Sequence, residues 1–332
     1  MKNLITDIPG VRVGHAGDAA LASGVTAVIF DEPVIAAMDV RGGGPGIREG
    51  VLLDLCNTVD KVDAFALSGG SAFGLEAGGG TQAWLAEQGR GLAVSTALVP
   101  IVPGAVIFDL LNGGDKNWGR FSPYRDLGYA AAVAASDSFA LGSAGAGLGA
   151  TTATLKGGVG SASARTPDGI TVGAIAVVNA VGVTNIGDGP HFWAAPFEQN
   201  NEFGGRGLPA TFTPDMLSPR LKGGAAATSG ENTTLAVVVT DAILTKPQAK
   251  RLAMLAQTGF ARAIYPVHAP MDGDVVFAAA TCSKPVDPLI GLTELGMLAA
   301  NVMARAIARG VYEATALPFA DARPDWKTKF GK

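Results

Sequence analysis

The stretch "SGENTTLAVVVTDA", residues 229–242, places Asn232 and two threonine hydroxyls at the start of an apolar, β-branched run. Thr233 can be an ordinary strand former after a Gly-Glu-Asn turn, and on residue type alone that is the simpler reading. The alternative is chemical. An internal threonine becomes a competent nucleophile without a histidine if the peptide bond before it breaks, because the freed α-amine, with a pKa near 8, takes the hydroxyl proton. That chemistry needs a small or amide residue before the threonine, strain at the bond, and a strand that holds the new terminus. Asn232-Thr233 lies at the end of a Gly-, Pro- and Asn-containing stretch, 197–232, and meets these needs.

Other candidate groups point to less. His15, His191 and His268 lie far apart without metal-ligand spacing, so no metal site is expected, and nothing singles out a serine for a Ser-His-Asp arrangement. "GGSAFG" (69–74) follows a strand-like run and opens a helical pattern, but its spacing fits neither a dinucleotide fingerprint nor a nucleophile elbow. Tight strand-to-helix packing is the expected role, and no cofactor is implied. "DVRGGGPGIRE" (39–49) reads as a Gly-rich structural turn, with anion binding on its N–H groups as the alternative.

Elements must position these groups. The chain has 332 residues, 48% hydrophobic and 16% charged, enough for a large core in one large or two ordinary domains. Net charge is -4, with no run of Lys or Arg, which argues against nucleic acid and anionic membrane as partners. Near-continuous apolar runs at 24–30, 64–70, 91–99, 170–182, 233–242 and 273–282 suit sheets covered on both faces. Helical patterns lie at 71–89, at 245–264 with Thr245 as cap and Pro247 in the first turn, and at 292–314. The uncharged run 91–108 contains Pro100, Pro103 and Gly104, and reads as two strands and a turn and not as a membrane span. Cys56 and Cys282 sit in apolar runs and are expected to be buried thiols. With no apolar leader visible at the start, a cytoplasmic protein is expected.

Several motifs in one order carry a resemblance that spans nearly the whole chain: "DVRGGGPGIRE", "LSGGSAFGLEAGGG", "AVIFDL", "GAGLGATTATLKGG", "AIAVVNAVG", "NTTLAVVVTDA" and "MDGDVVFA". The chain resembles the family of L-aminopeptidase/D-esterases, β-aminopeptidases and endo-type nylon-oligomer hydrolases, and is more distantly similar to ornithine acetyltransferase. The resemblance implies an α+β fold, a four-layer αββα sandwich like that of Ntn hydrolases, self-cleaved at Asn232-Thr233 into a large subunit, 1–232, and a small one, 233–332. It implies Thr233 as nucleophile, Lys156 near it, and Asn179 as an amide facing the oxyanion. Asp272 and Asp274 stand where the aminopeptidases carry a serine and a glutamate; the nylon-oligomer branch has "MDGD" as here. Phe108 replaces a tyrosine whose phenol is an oxyanion donor in several members. The expected partner is a small peptide or amide substrate, and the expected assembly a homo-oligomer, a tetramer of processed heterodimers. An acyltransferase, or a non-catalytic binding protein on the same scaffold, are the competing functions.

Overall fold

The structure, a computed structural model, describes residues 1–223 and 232–331. Its strands are β1 (Val11–Asp18), β2 (Ser23–Val40), β3 (Ile47–Arg48), β4 (Lys61–Ser68), β5 (Leu92–Val94), β6 (Ala97–Val99), β7 (Gly104–Val106), β8 (Val159–Arg165), β9 (Thr171–Asn179), β10 (Thr233–Ala242) and β11 (Val275–Lys284). The helices are α1 (Ala77–Glu87), α2 (Tyr124–Val133), α3 (Lys246–Ala261), α4 (Ile290–Tyr312) and α5 (Trp326–Phe330).

One hydrogen-bonded ladder runs β3-β7-β4-β2-β11-β10-β9-β8, with β1 also on β2. The long strand β2 divides it. Its first half pairs with β1 and β4, and its second half, from Ile35, pairs with β11 after a register shift between Ile29 and Val34. Two leaves result, and they face each other. Val28, Phe30, Phe65 and Leu67 of one leaf share a core with Ile175, Val177, Leu235, Val237 and Phe277 of the other. Phe65 and Phe277 stack at 4.8 Å between ring centres.

Helices cover both outer faces. Ala77, Leu85, Tyr124 and Ala131 of α1 and α2 pack on Val25, Ala27 and Ala64 of the first leaf. α3 and α4 pack on Ala174, Ala176, Ala236, Val238, Ala278 and Ala280 of the second. The order is therefore α, β, β, α. This explains why β10 is buried at every position. Odd residues face the other leaf and even ones face helices, so no polar alternation is left. Alanines dominate the helix side, where backbones approach closely, and Val, Leu and Phe fill the wider gap between leaves.

Local signals end where expected. Thr245 caps α3, its hydroxyl accepting from the Gln248 N–H, with Gln248 returning the bond and Pro247 in the first turn. Residues 71–89 divide into a 3-10 segment, Ser71–Glu76, and α1. The run 91–108 forms the β5–β6 hairpin and then β7. α4 is long and apolar enough to cross a membrane, but 61% of its most apolar window is buried within the fold, which makes it a layer of this core.

The thiols differ from expectation. Cys56 is exposed, in a turn where its Sγ donates to Asp54, and Cys282 is only half-buried. The apolar letters around Cys56 belong to a surface turn after a short 3-10 segment, Gly50–Leu53, and not to a strand. Residues 197–223 are irregular, as their composition implies, yet anchored: Glu202 pairs with Arg305 at 2.5 Å, and the Lys222 N–H donates to the Val181 carbonyl. The remainder of that stretch, 224–231, lies outside the described residues.

Candidate active site

The antiparallel register of β9 and β10 sets Asn179 directly opposite Thr233. Directly paired residues share a face, here the one between the two leaves. Just before β10, Asn232 makes a parallel bridge to Asp272, and the Gly273 N–H donates to the Asn232 carbonyl at 2.9 Å. The Thr233 hydroxyl donates to that same carbonyl. Asn232 and Thr233 are both buried. The peptide bond ahead of Thr233 thus has a hydroxyl on one side of its carbonyl and a fixed N–H donor on the other.

Gly273 is required there. A Cβ at this position would strike the Thr233 hydroxyl and lie 2.9 Å from the Gly44 carbonyl oxygen. The loop 41–44 clamps the same turn: Gly44 N–H donates to the Asp272 carbonyl at 2.8 Å, and Arg41 and Gly42 N–H groups donate to the Asp274 carbonyl. A Cβ on Gly42 would run into the backbone of 272–274, so the turn described by "DVRGGGPG" is a backbone clamp for "MDGD".

The two carboxylates flank the junction. Asp274 accepts from the Thr234 N–H at 2.7 Å and from the His268 Nδ1 at 2.9 Å. Asp272 accepts from Ala269 N–H at 3.1 Å and more weakly from Val181 N–H at 3.4 Å. Burial, and then the neighbouring Asp274 charge, push the Asp272 carboxyl up to about 7.

Asn179 is held on both ends. Its Nδ2 donates to the Phe108 carbonyl at 3.0 Å, and its Oδ1 accepts from Thr151 N–H at 3.0 Å and Lys222 Nζ at 2.9 Å. Phe108 therefore contributes its backbone to the site, where a side-chain phenol would otherwise be expected.

Lys156 is placed differently from Asn179. Its ammonium donates to the carbonyls of Gly147, Ala150 and Gly157, at 2.8–2.9 Å, and makes no hydrogen bond to Thr233. Burial pulls its pKa down to about 7, partly offset by the buried Asp109 carboxylate. It fastens the loop that presents the Thr151 N–H to Asn179. The structure thus gathers Asn179, Asn232, Thr233, Asp272 and Asp274, and keeps Lys156 one layer behind.

Sequence reading missed three contributors. Gly273 sits inside the motif already singled out and could have been suspected as the position between two acids. His268 precedes Asp274 by six residues and Lys222 precedes Thr233 by eleven, without a periodic or motif signal at either.

Solved structures with this architecture carry the same class of fold. The chain superposes on a Burkholderia sp. beta-aminopeptidase with TM-score 0.70 and 22% identity, covering 99% of this chain and 92% of that one. It superposes on an L-aminopeptidase D-Ala-esterase/amidase from Ochrobactrum anthropi with TM-score 0.71 and 19% identity, covering 98% and 92%; that protein is described as a variant of the Ntn hydrolase fold. The fold is that of an Ntn hydrolase. In sequence, the chain is 44% identical over 331 residues to an uncharacterized aminopeptidase of Mycobacterium tuberculosis, covering 94% of each. It is 29% identical over 318 residues to a 6-aminohexanoate-oligomer endohydrolase of Kocuria sp., covering 91% of this chain and 84% of that protein. The chain belongs to peptidase family S58, whose profile matches residues 3–324, and is a hydrolase of peptide or amide bonds.

Proposed function

We propose that this hydrolase is an N-terminal-threonine enzyme that cuts its own chain between Asn232 and Thr233 and then uses the freed Thr233. The observation that carries this reading is the hydroxyl of Thr233 resting on the Asn232 carbonyl that Gly273 N–H also holds. In processing, the Thr233 oxygen adds to the Asn232 carbonyl carbon while its proton passes to the Thr233 nitrogen. The C–N bond breaks to leave an ester, and water hydrolyses it to an Asn232 carboxylate and a free Thr233 amine. The Gly273 N–H supports the oxyanion that forms on the way.

In turnover, the Thr233 amine takes the hydroxyl proton, the oxygen attacks a substrate carbonyl, and the amine returns the proton to the leaving nitrogen. Water then resolves the acyl-enzyme. Asp272 and Asp274 hold the proton balance around the new terminus, and the Asn179 amide supports the substrate oxyanion. The substrate is a small peptide or amide, in keeping with the aminopeptidase and oligomer-endohydrolase relatives. The working form is a cytoplasmic homo-oligomer of processed chains. Intact-mass spectrometry tests the reading: wild type should give fragments 1–232 and 233–332, and Thr233→Ala a single uncut chain. Cutting at another bond, or cutting in the alanine variant, would falsify it.

A further inference from the structure

Lys222, eleven residues ahead of Thr233, reaches both halves of the site. Its ammonium donates to Asn179 Oδ1 at 2.9 Å, and its backbone N–H donates to the Val181 carbonyl at 2.8 Å. The Val181 N–H in turn points at Asp272 Oδ1, 3.4 Å away. Lys222 is only 9% exposed. Taking an ammonium out of water costs free energy that a neutral side chain on the same backbone anchor would avoid. The charge itself therefore needs a use at this position.

One use is the orientation of the Asn179 amide. Its Oδ1 receives two groups that donate and cannot accept, the Thr151 N–H and the Lys222 ammonium. A flipped amide would set Nδ2 against both, so the pair fixes Nδ2 on the other side, where it donates to the Phe108 carbonyl. A cation on the oxygen also draws electron density from the nitrogen and strengthens its N–H groups as donors. Phe108 brings no phenol to the site, which raises the demand on that amide. The second use is at the acid. Burial and the Asp274 charge both oppose an ionised Asp272, and the Lys222 ammonium acts against them. We propose that Lys222 is a positioning residue of the reaction: its ammonium holds and polarises the Asn179 amide as an oxyanion donor and offsets the like-charge repulsion between Asp272 and Asp274. The proposal rests on the Thr233 reading and adds to it the charged group that sets two of its parts.

The test separates charge from bulk at one position. Lys222→Cys is made in a Cys56→Ser, Cys282→Ser background, and reagents reach the new thiol through the cavity of about 590 Å³ that residue 222 lines. The thiolate displaces bromide from 2-bromoethylamine and regains an ammonium at nearly the length of lysine; iodoacetamide gives a neutral adduct of similar size. With alanine p-nitroanilide, the unmodified variant should lose kcat by about 10- to 100-fold with KM little changed, short of the roughly 10²–10³ that removing an oxyanion donor outright costs. The aminoethyl adduct should recover most of that loss, and the neutral adduct should not. Where the variant is produced uncut, the aminoethyl adduct should start the cutting. Lys222→Arg and Lys222→Gln supply a second comparison should the cysteine variant fail to fold: intact-mass spectra should show the arginine variant cut and the glutamine variant largely uncut. Equal rates for the two adducts, a loss confined to KM, or equal cutting of the arginine and glutamine variants overturns the proposal. A fault in the nucleophile reading appears instead as Thr233→Ala being cut or active. The two adducts then still decide whether the reaction depends on an ammonium at 222.

Discussion

Replacing Asp272 with Asn should make the uncut protein more stable at alkaline pH, even as it impairs processing. Asp272 is buried, and its carboxyl is raised from the ordinary 3.8 to about 7. Below pH 3.8 it is protonated whether the chain is folded or unfolded. As pH rises from there to about 7, the unfolded chain releases the proton and the folded one keeps it, so folding loses free energy across that window. Above the folded pKa the loss is complete. Three units at about 1.4 kcal/mol each come to about 4 kcal/mol, an upper figure because a buried site relaxes around a charge. Asparagine stays uncharged and keeps an acceptor oxygen for the Ala269 N–H, but its Nδ2 cannot accept from the more distant Val181 N–H, which costs about 1 kcal/mol at every pH. The variant should therefore melt slightly below its parent near pH 4 and above it at pH 8, by a few degrees for a chain this long. Calorimetric melting of both in a Thr233→Ala background keeps the covalent state equal. A variant that melts lower than its parent by the same amount at both pH values refutes the argument. Asp272 would then be a structural acceptor, with no cost stored at the site.

Gly273→Ala should stop processing while the chain still folds, because the added Cβ lands on the Thr233 hydroxyl; the clash should cost about 1–3 kcal/mol of stability, and normal cutting would mean the turn is not part of the reaction. His268→Asn should slow processing about 10-fold or more by releasing the Asp274 oxygen it holds; an unchanged processing rate would return His268 to a packing role. After cutting, fragments 1–232 and 233–332 should co-elute at several times the 33.5 kDa chain mass on size exclusion with light scattering, since β9–β10 and β2–β11 ladders join them; separation in native buffer would contradict the shared sheet.

Much of the fold was legible in the chain. Doubly covered strands show as unbroken apolar runs because neither face meets water, and β9, β10 and β11 read that way at once. The start of α3 was readable because a capping threonine, a glutamine three residues on and an early proline act within one turn. Asn232-Thr233 stood out as an amide residue ahead of a hydroxyl at a strand start, and the family resemblance gave that pair its chemical reading.

What sequence could not supply is which distant groups meet. Cys56 shows the limit: its neighbours are apolar, yet the turn leaves it in solvent. His268 has no visible partner until the turn 269–274 folds its ring onto Asp274. Lys222 and Lys156 look alike as letters, but the first donates to Asn179 beside Thr233 and the second to three loop carbonyls behind it. Residue type and local spacing determined the strands and the cap, because those depend on neighbours a few positions away. The pairing of β9 with β10, the clamp of 41–44 on 272–274 and the raised carboxyl of Asp272 depend on burial and on contacts across tens to hundreds of residues, and only the packed structure decides them.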